Sequence, residues 1–364
     1  MKLYIAGGVY EHGRNCFYIS RDNKCNIMVD CGVKEGSKEY YPVLDEVQIK
    51  TTKYMFITHS HNDHCGALQW IIDRGFSGRI ISTEETKRQI GLEYPYWTTF
   101  GFNDSSDRTT IDIDDISVIS GMSGHCIGSV WYKILVDGKS VLFTGDYCED
   151  TQNYKCSCLR DEVADMAVID CAYSNSDRDR TRELSIFNQY IKKAENIPVL
   201  LPVPAFGRGL EFISYICRSK KKTPVYADDR IIFQLQPANN KWLKNGIKSC
   251  VSNVKEWNNH NGIIMVSDAQ LKNKCNQQIA RRVLNNEGLV VLTGHVYPGT
   301  YASNIILEKN VYKISYPVHM NYKQVADMVQ KNRFRLILMN HSQGKIQDNL
   351  NLITKINERV VDLK

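Results

Sequence analysis

Thr58-His59-Ser60-His61-Asn62-Asp63-His64 decides how the rest of this 364-residue chain is read. Three histidines and an aspartate fall within six residues, which no helix face repeating every 3.6 residues can present together, and they follow a short apolar run at residues 54–57 that reads as a strand. Alternation along an extended chain sends His59 and His61 to one side, where they can share one metal ion, while a turn at Asp63 and His64 offers two ligands to a neighbouring ion. Downstream, Gly124-His125, Gly145-Asp146 and His341 supply further donors of the same types. Five of the nine histidines and two aspartates therefore make a ligand set for two adjacent ions. Imidazole and carboxylate donors without thiolate favour zinc, with manganese or iron as substitutes.

The chain is long enough for two domains, or for one large domain with an insertion, and can bury a core without covalent staples. Its twelve cysteines form no repeating framework, and Cys31, Cys171 and Cys217 sit in apolar runs, so reduced thiols and a cytoplasmic location are expected. Cys156 and Cys158 read as an ordinary loop pair. No apolar run of about 18 residues occurs and the first nine residues do not make a signal peptide, so no membrane association is expected. A formal net charge of +6 permits an anionic substrate without requiring one. The basic groups Arg218 with Lys220 to Lys222, and Arg281 with Arg282, read as solvated surface. Nothing in the sequence sets an oligomeric state.

Strands are predicted at residues 2–6, 16–19, 26–30, 54–57, 79–82, 116–120, 130–136, 140–144 and 166–169, with one amphipathic helix over 63–74. After Tyr173 the texture changes to alternating strands and helices, and the strand at 336–339 brings the chain back to the metal residues at His341. That order predicts layered sheets with outer helices, interrupted by an inserted α/β unit.

These motifs resemble the metallo-β-lactamase superfamily: Asp30 at a strand end, His59-x-His61-x-Asp63-His64, the Ser123 to Ser129 turn around Gly124-His125, and Phe143-Thr144-Gly145-Asp146-Tyr147. Later residues resemble its β-CASP nuclease branch: Ile169-Asp170-Cys171-Ala172-Tyr173, Pro202 to Glu211 around Gly207-Arg208-Gly209, Gly299-Thr300, Val318-His319-Met320-Asn321 and Asn340-His341-Ser342. The resemblance implies an α/β fold, an αββα sandwich formed by residues 1–174 and 313–364 with a β-CASP domain inserted at 175–312. It implies one zinc on His59, His61 and His125, a second on Asp63, His64 and His341, and Asp146 bridging them. Asp30 would support the metal loop from behind its ligands, and Asp170 would orient His319 toward the scissile phosphate. Two departures stand out: Asn321 replaces an acid, and Ser342 and Gln343 replace a glycine and an acid.

Two ions about 3.5–4 Å apart make hydroxide at neutral pH and stabilise an in-line displacement at phosphorus. That chemistry suits phosphodiester hydrolysis, and the resemblance implies a ribonuclease, endo or exo, acting on single-stranded RNA by metal-bound hydroxide, with Asp63 and the Asp170–His319 pair in catalysis and 5′-phosphate and 3′-hydroxyl products. The histidine at 341 in the third β-CASP motif tilts the resemblance toward RNA. Arg208, Thr300 and His295 are candidate substrate contacts, and the insertion would form one wall of a substrate cleft. The alternatives are hydrolysis of single-stranded DNA, of a cyclic or short oligonucleotide or of a small ester, and a silent RNA-binding subunit.

Overall fold

The computed structural model describes residues 1–21, 25–103, 106–218, 223–244, 251–342 and 359–363. The chain divides into two compact units, one of Met1–Asp150, Lys155–Asp177 and His319–Lys364, the other of Thr151–Tyr154 and Arg178–Val318. The expected positions Lys220 to Lys222 and Gln343 lie outside the described residues.

In the first unit, a seven-stranded sheet runs in the order Val360–Asp362, Lys2–Gly7, Cys16–Ser20, Asn26–Val29, Thr52–Phe56, Arg79–Thr83, Trp97–Phe100. A six-stranded sheet runs Arg333–Asn340, Val163–Asp170, Lys139–Phe143, Val130–Val136, Ile116–Met122, Arg108–Ile113. Period-two alternation splits each strand between two apolar surroundings. Phe17 and Phe56 face the other sheet, meeting Phe143 and Tyr132 at ring-centroid distances of 5.6 and 5.4 Å. Their neighbours Cys16, Tyr18, Met55 and Ile57 turn outward onto Ile49, Leu68 and Ile71 of short helices. On the far side, Trp131, Leu142 and Ala167 pack against Val325, Met328 and Val329 of the Tyr322–Gln330 helix. The layers are α, β, β, α.

Parallel pairing is what gathers the site. Asn26–Val29, Thr52–Phe56 and Arg79–Thr83 are mutually parallel in one sheet, and Lys139–Phe143, Val163–Asp170 and Arg333–Asn340 in the other. Their C-terminal ends carry, in order, Asp30, Thr58 to His64, Asp146, Asp170 and His341. Ligands at the carboxyl ends of parallel strands share one edge of each sheet without any long reach of side chain.

The expected single helix over 63–74 is instead two, Asn62–Cys65 and Leu68–Ile72. Tertiary hydrogen bonding overrides the helical pattern between them, because the Ala67 amide is taken by the Cys31 carbonyl at 2.9 Å. Asp63 and His64 lie in the first of them, a single helical turn. Strands at Trp97–Phe100 and Arg108–Ile113 and helices at Glu46–Thr51 and Glu84–Ile90 were not foreseen; the Glu46–Thr51 helix buries only Ile49, too little to leave a periodic signal.

The second unit is built on an all-parallel sheet in the order Val251–Asn253, Val225–Ala227, Gly262–Val266, Pro198–Pro202, Leu289–Leu292, Val311–Lys313. Its central strands are buried along their whole length and read as continuous apolar runs, as both-sided burial requires. Thr151–Tyr154 joins this unit through the buried Glu211 carboxylate, which accepts from Thr151 Oγ1 at 2.5 Å and from the Asn153 amide at 3.0 Å.

Most cysteines among the described residues are free, Cys31 and Cys171 buried among them. Cys217 departs from the expectation, being half-buried and disulfide-bonded, and so drops out of the argument for a reducing compartment. Cys156 and Cys158 are not disulfide-bonded, Cys156 bridging Ser123 in an isolated antiparallel pair and Cys158 exposed. No helix among the described residues is long and apolar enough to cross a membrane.

Candidate metal centre

Three overlapping groups of donors converge in the first unit: His59, His61, His125 and Asp146; Asp63, His64 and His341; and Asp146, Asp170, His319 and His341. Asp146 reaches its place because Gly145 turns the chain with a φ of 54°, against Thr58 so closely that a Cβ there would lie 2.8 Å from the Thr58 Cβ. Its two oxygens face different sets. Oδ2 lies 3.4 Å from His59 Nε2 and 3.2 Å from His125 Nε2, while Oδ1 lies 3.0 Å from His64 Nε2 and 3.2 Å from His341 Nδ1. His61 Nδ1 meets His125 Nε2 at 3.2 Å on the first side. On the second, Asp63 Oδ2 is 3.2 Å from His341 Nε2 and 3.7 Å from His64 Nε2.

Several of these close approaches are not hydrogen bonds. Asp146 Oδ1, His59 Nε2 and His341 Nδ1 are buried and have no hydrogen-bond partner. Buried polar atoms in that state are costly unless something else satisfies them. Imidazole nitrogens and carboxylate oxygens aimed at common points are the donor set a divalent cation satisfies, and the residues present fit one.

The backs of the rings are held. Asp30 Oδ2 accepts from His64 Nδ1 at 2.7 Å, and the same carboxylate takes the Thr58 amide and hydroxyl, each at 2.8 Å. Bonding at Nδ1 leaves the His64 Nε2 lone pair toward the pocket, where the Asn15 side-chain nitrogen lies 2.9 Å away. Asp170 repeats the device: Oδ2 accepts from His319 Nδ1 at 2.7 Å and from the Tyr147 amide at 3.0 Å, and Oδ1 from the Ala172 amide at 3.1 Å. His319 Nε2 is left 3.9 Å from Asp146 Oδ2. Asp30 and His341 both hold left-handed backbones, φ 58° and 63°, a strain that the surrounding bonds enforce.

Charge follows from this crowding. Burial would raise the Asp146 and Asp170 carboxyls, but facing imidazoles hold both well below the usual carboxylate range. Burial alone would lower His64, yet Asp146, Asp30 and Asp63 push it well up. His125, with fewer carboxylates near it, is pushed well down by burial.

The three remaining candidates lie in the second unit. Arg208 opens the Arg208–Arg218 helix with its guanidinium against Gly294, where a Cβ would stand 2.4 Å from Nη1. His295 is exposed, its ring edge-on to Tyr297 at 4.8 Å. Thr300 is occupied as the N-cap of the Tyr301–Ile305 helix. Asn321, where an acid was expected by resemblance, closes a capping box with Gln324 at the start of the Tyr322–Gln330 helix.

Two residues at the pocket were missed by sequence reasoning. Asn15 sits in a turn of polar residues with no spacing to distinguish it, and His12 is a lone histidine whose ring lies edge-on to His341 with centroids 5.0 Å apart.

Residues 9–158 match the sequence model of the metallo-beta-lactamase superfamily. Among curated relatives, the endoribonuclease YSH1 of Eremothecium gossypii is 22% identical, covering 94% of this chain and 55% of that protein. "Probable RNase MJ4" of Methanocaldococcus jannaschii is 28% identical over 63% of this chain and 59% of its own. The cleavage and polyadenylation specificity factor 73 of Drosophila melanogaster is 21% identical, with 97% and 61% covered. The chain thus spans somewhat over half the length of these relatives. A crystal structure of a protein of unknown function from Enterococcus faecalis V583 shares the fold, with a TM-score of 0.65 at 12% identity over 99% of both chains.

Proposed function

We propose that this chain, whose residues 9–158 match the metallo-β-lactamase superfamily, is a dinuclear zinc-dependent ribonuclease of the β-CASP branch that hydrolyses single-stranded RNA to 5′-phosphate and 3′-hydroxyl ends. The observation that carries it is the divided Asp146 carboxylate, one oxygen toward His59 and His125, the other toward His64 and His341. Relatives named as endoribonucleases support RNA as the substrate. Divalent ions bound there would supply Lewis acidity.

The chain's own residues do the rest. His59, His61 and His125 would hold one ion and Asp63, His64 and His341 another, with Asp146 facing both sets. Asp30 holds His64 by Nδ1, which turns Nε2 toward the pocket beside Asn15 and Asp146. Asp170 holds His319 by Nδ1 and turns Nε2 toward the pocket, where it gives a proton to the leaving 3′ oxygen as the P–O bond breaks. Arg208 stays a candidate phosphate contact. A reducing, cytosolic setting fits the free cysteines and is opposed by the Cys217 bond.

The test is cleavage of matched 5′-labelled single-stranded RNA and DNA by zinc-loaded protein beside His64→Ala and His319→Ala. RNA cutting that needs metal and is lost in both variants is expected. Two bound metals with neither polymer cut would replace this reading with a small phosphodiester or ester hydrolase.

A further inference from the structure

The segment between the Lys2–Gly7 and Cys16–Ser20 strands is pinned to the strand end that carries His341. Val9 bridges Asn340, and the Gly8 carbonyl accepts from the His341 amide at 2.8 Å. Only glycine fits at position 8, since a Cβ would stand 2.4 Å from Asn340 Oδ1. Glu11 closes the turn from within, taking the Gly8 amide at 3.2 Å, Arg14 Nε at 2.7 Å and Lys34 Nζ at 2.7 Å.

So held, the turn presents two aromatic side chains, His12 and Tyr10. His12 is half-buried against His341 and makes no hydrogen bond or ion pair among the described residues. It continues a line of edge-to-face imidazoles outward from the pocket, with His319 to His341 centroids at 5.3 Å and His341 to His12 at 5.0 Å. Tyr10 is 55% exposed, on a left-handed backbone with φ 59°. An aromatic there is strained, and glycine would hold the same turn at less cost.

We propose that this turn is a substrate-contacting lip of the metal pocket, His12 donating an imidazole N–H to a backbone phosphate of single-stranded RNA and Tyr10 stacking on an adjacent base. It rests on the ribonuclease reading above. A strand with its scissile phosphate facing His319 continues outward past His341, and the next phosphate falls where His12 offers an unpaired donor. Exposed tyrosine faces are the usual platform for unpaired bases, and their identity matters little to stacking.

The experiment compares wild-type protein with Tyr10→Ala and His12→Phe, the latter keeping a ring against His341 while removing its N–H. Tyr96→Ala, which removes a 60% exposed aromatic elsewhere in the same unit, is the control. Binding of labelled single-stranded RNA by fluorescence anisotropy, with metal chelated, is read beside KM and kcat of the zinc-loaded protein, metal content and Tm. Tyr10→Ala is expected to weaken binding and raise KM about tenfold, and His12→Phe by about fivefold, with kcat, metal content and Tm held and the control unchanged. Wild-type RNA cleavage with both variants binding and cutting equally well overturns the lip, as does a loss traced to Tm or metal content. If wild-type protein neither binds nor cuts RNA, the ribonuclease reading falls first and the lip falls with it.

Discussion

Asp146 and Glu211 are both carboxylates at 2–3% exposure, one in each unit, and the chain treats them in opposite ways. Glu211 is satisfied by protein donors: the Thr151 hydroxyl at 2.5 Å, the Tyr316 hydroxyl at 2.8 Å, the Asn153 and Gln152 amides, and the Arg180 guanidinium at 3.5 Å. Asp146 is ringed by imidazole nitrogens, and its Oδ1 has no hydrogen bond although two of them lie within 3.2 Å. Burial, charge and residue class match. What separates a structural carboxylate from a binding one is whether the donors around it are already spent, and only Asp146 faces groups that can ligate a cation.

Breaking the binding carboxylate has the largest expected effect. Asp146→Ala should remove metal from the protein, as read by elemental analysis, and bring RNA cleavage to background. The metal-free form should keep its Tm within a few degrees, because Asp146 Oδ1 accepts no hydrogen bond and the imidazoles facing it can shed their protons once its charge is gone. A large fall in the Tm of the metal-free form would show that Asp146 is structural after all and erase the contrast with Glu211.

His319→Gln comes next. The glutamine can still reach Asp170 but carries no proton to a leaving oxygen, so kcat on single-stranded RNA should fall about 100- to 10,000-fold with metal content unchanged. A matching loss of metal would make His319 a ligand through the group it forms with Asp146, Asp170 and His341.

Glu211→Ala reverses the pattern of Asp146→Ala. Removing one buried partner strands the Thr151, Asn153 and Tyr316 donors, a loss of about 3–5 kcal/mol in chemical denaturation, with metal content unchanged. If metal were lost instead, the two carboxylates would not be separable in function.

How much of this was legible beforehand follows the same division. A metal pocket demands a few residue types in turns and at strand ends, so His59, His61, Asp63, His64, His125, Asp146 and His341 could be picked from sequence as candidate donors, and the structure brings them together. Asp170 and His319 needed the family resemblance, since nothing in their 149-residue separation announces a 2.7 Å bond. Asn15 and His12 carry no pattern at all; their places are set by a turn whose geometry depends on Glu11, Arg14 and Lys34. The long apolar strands were readable for the same physical reason as the ligands, a strict requirement on residue type. The break at Gly66 and Ala67 was not, because a carbonyl from Cys31, far off in sequence, decides it.

Asp30→Asn probes the support behind a ligand. The amide keeps one acceptor for Thr58 or His64 but not the charge shared by both, so metal affinity should fall about 10- to 100-fold in competition with a chelator. An unchanged affinity would mean that Asn15 and Thr58 suffice to fix the His64 ring.

Glu162 is the intermediate case, and the smallest effect. It lies buried at 8% exposure, with Arg108 Nη1 at 2.6 Å and Lys133 Nζ at 2.8 Å. Burial raises its carboxyl, but Lys133 and Arg108 outweigh that and hold it below its ordinary value of 4.5. A carboxyl lowered by folding contributes stability that is present above the unfolded value and lost as pH falls through the folded one. Both cations retain some solvent, so the contribution at neutral pH is discounted to about 1 kcal/mol. Glu162→Gln should therefore lower stability by about that amount near pH 7 and converge on wild type at pH values below 4.5, in urea titrations run across the acid range. Activity at neutral pH should be untouched, because Glu162 is satisfied by fixed cations as Glu211 is by hydroxyls and amides. A gap that persisted undiminished in acid would trace the loss to the Asn332 bond at the Glu162 backbone, 2.8 Å long, and not to charge.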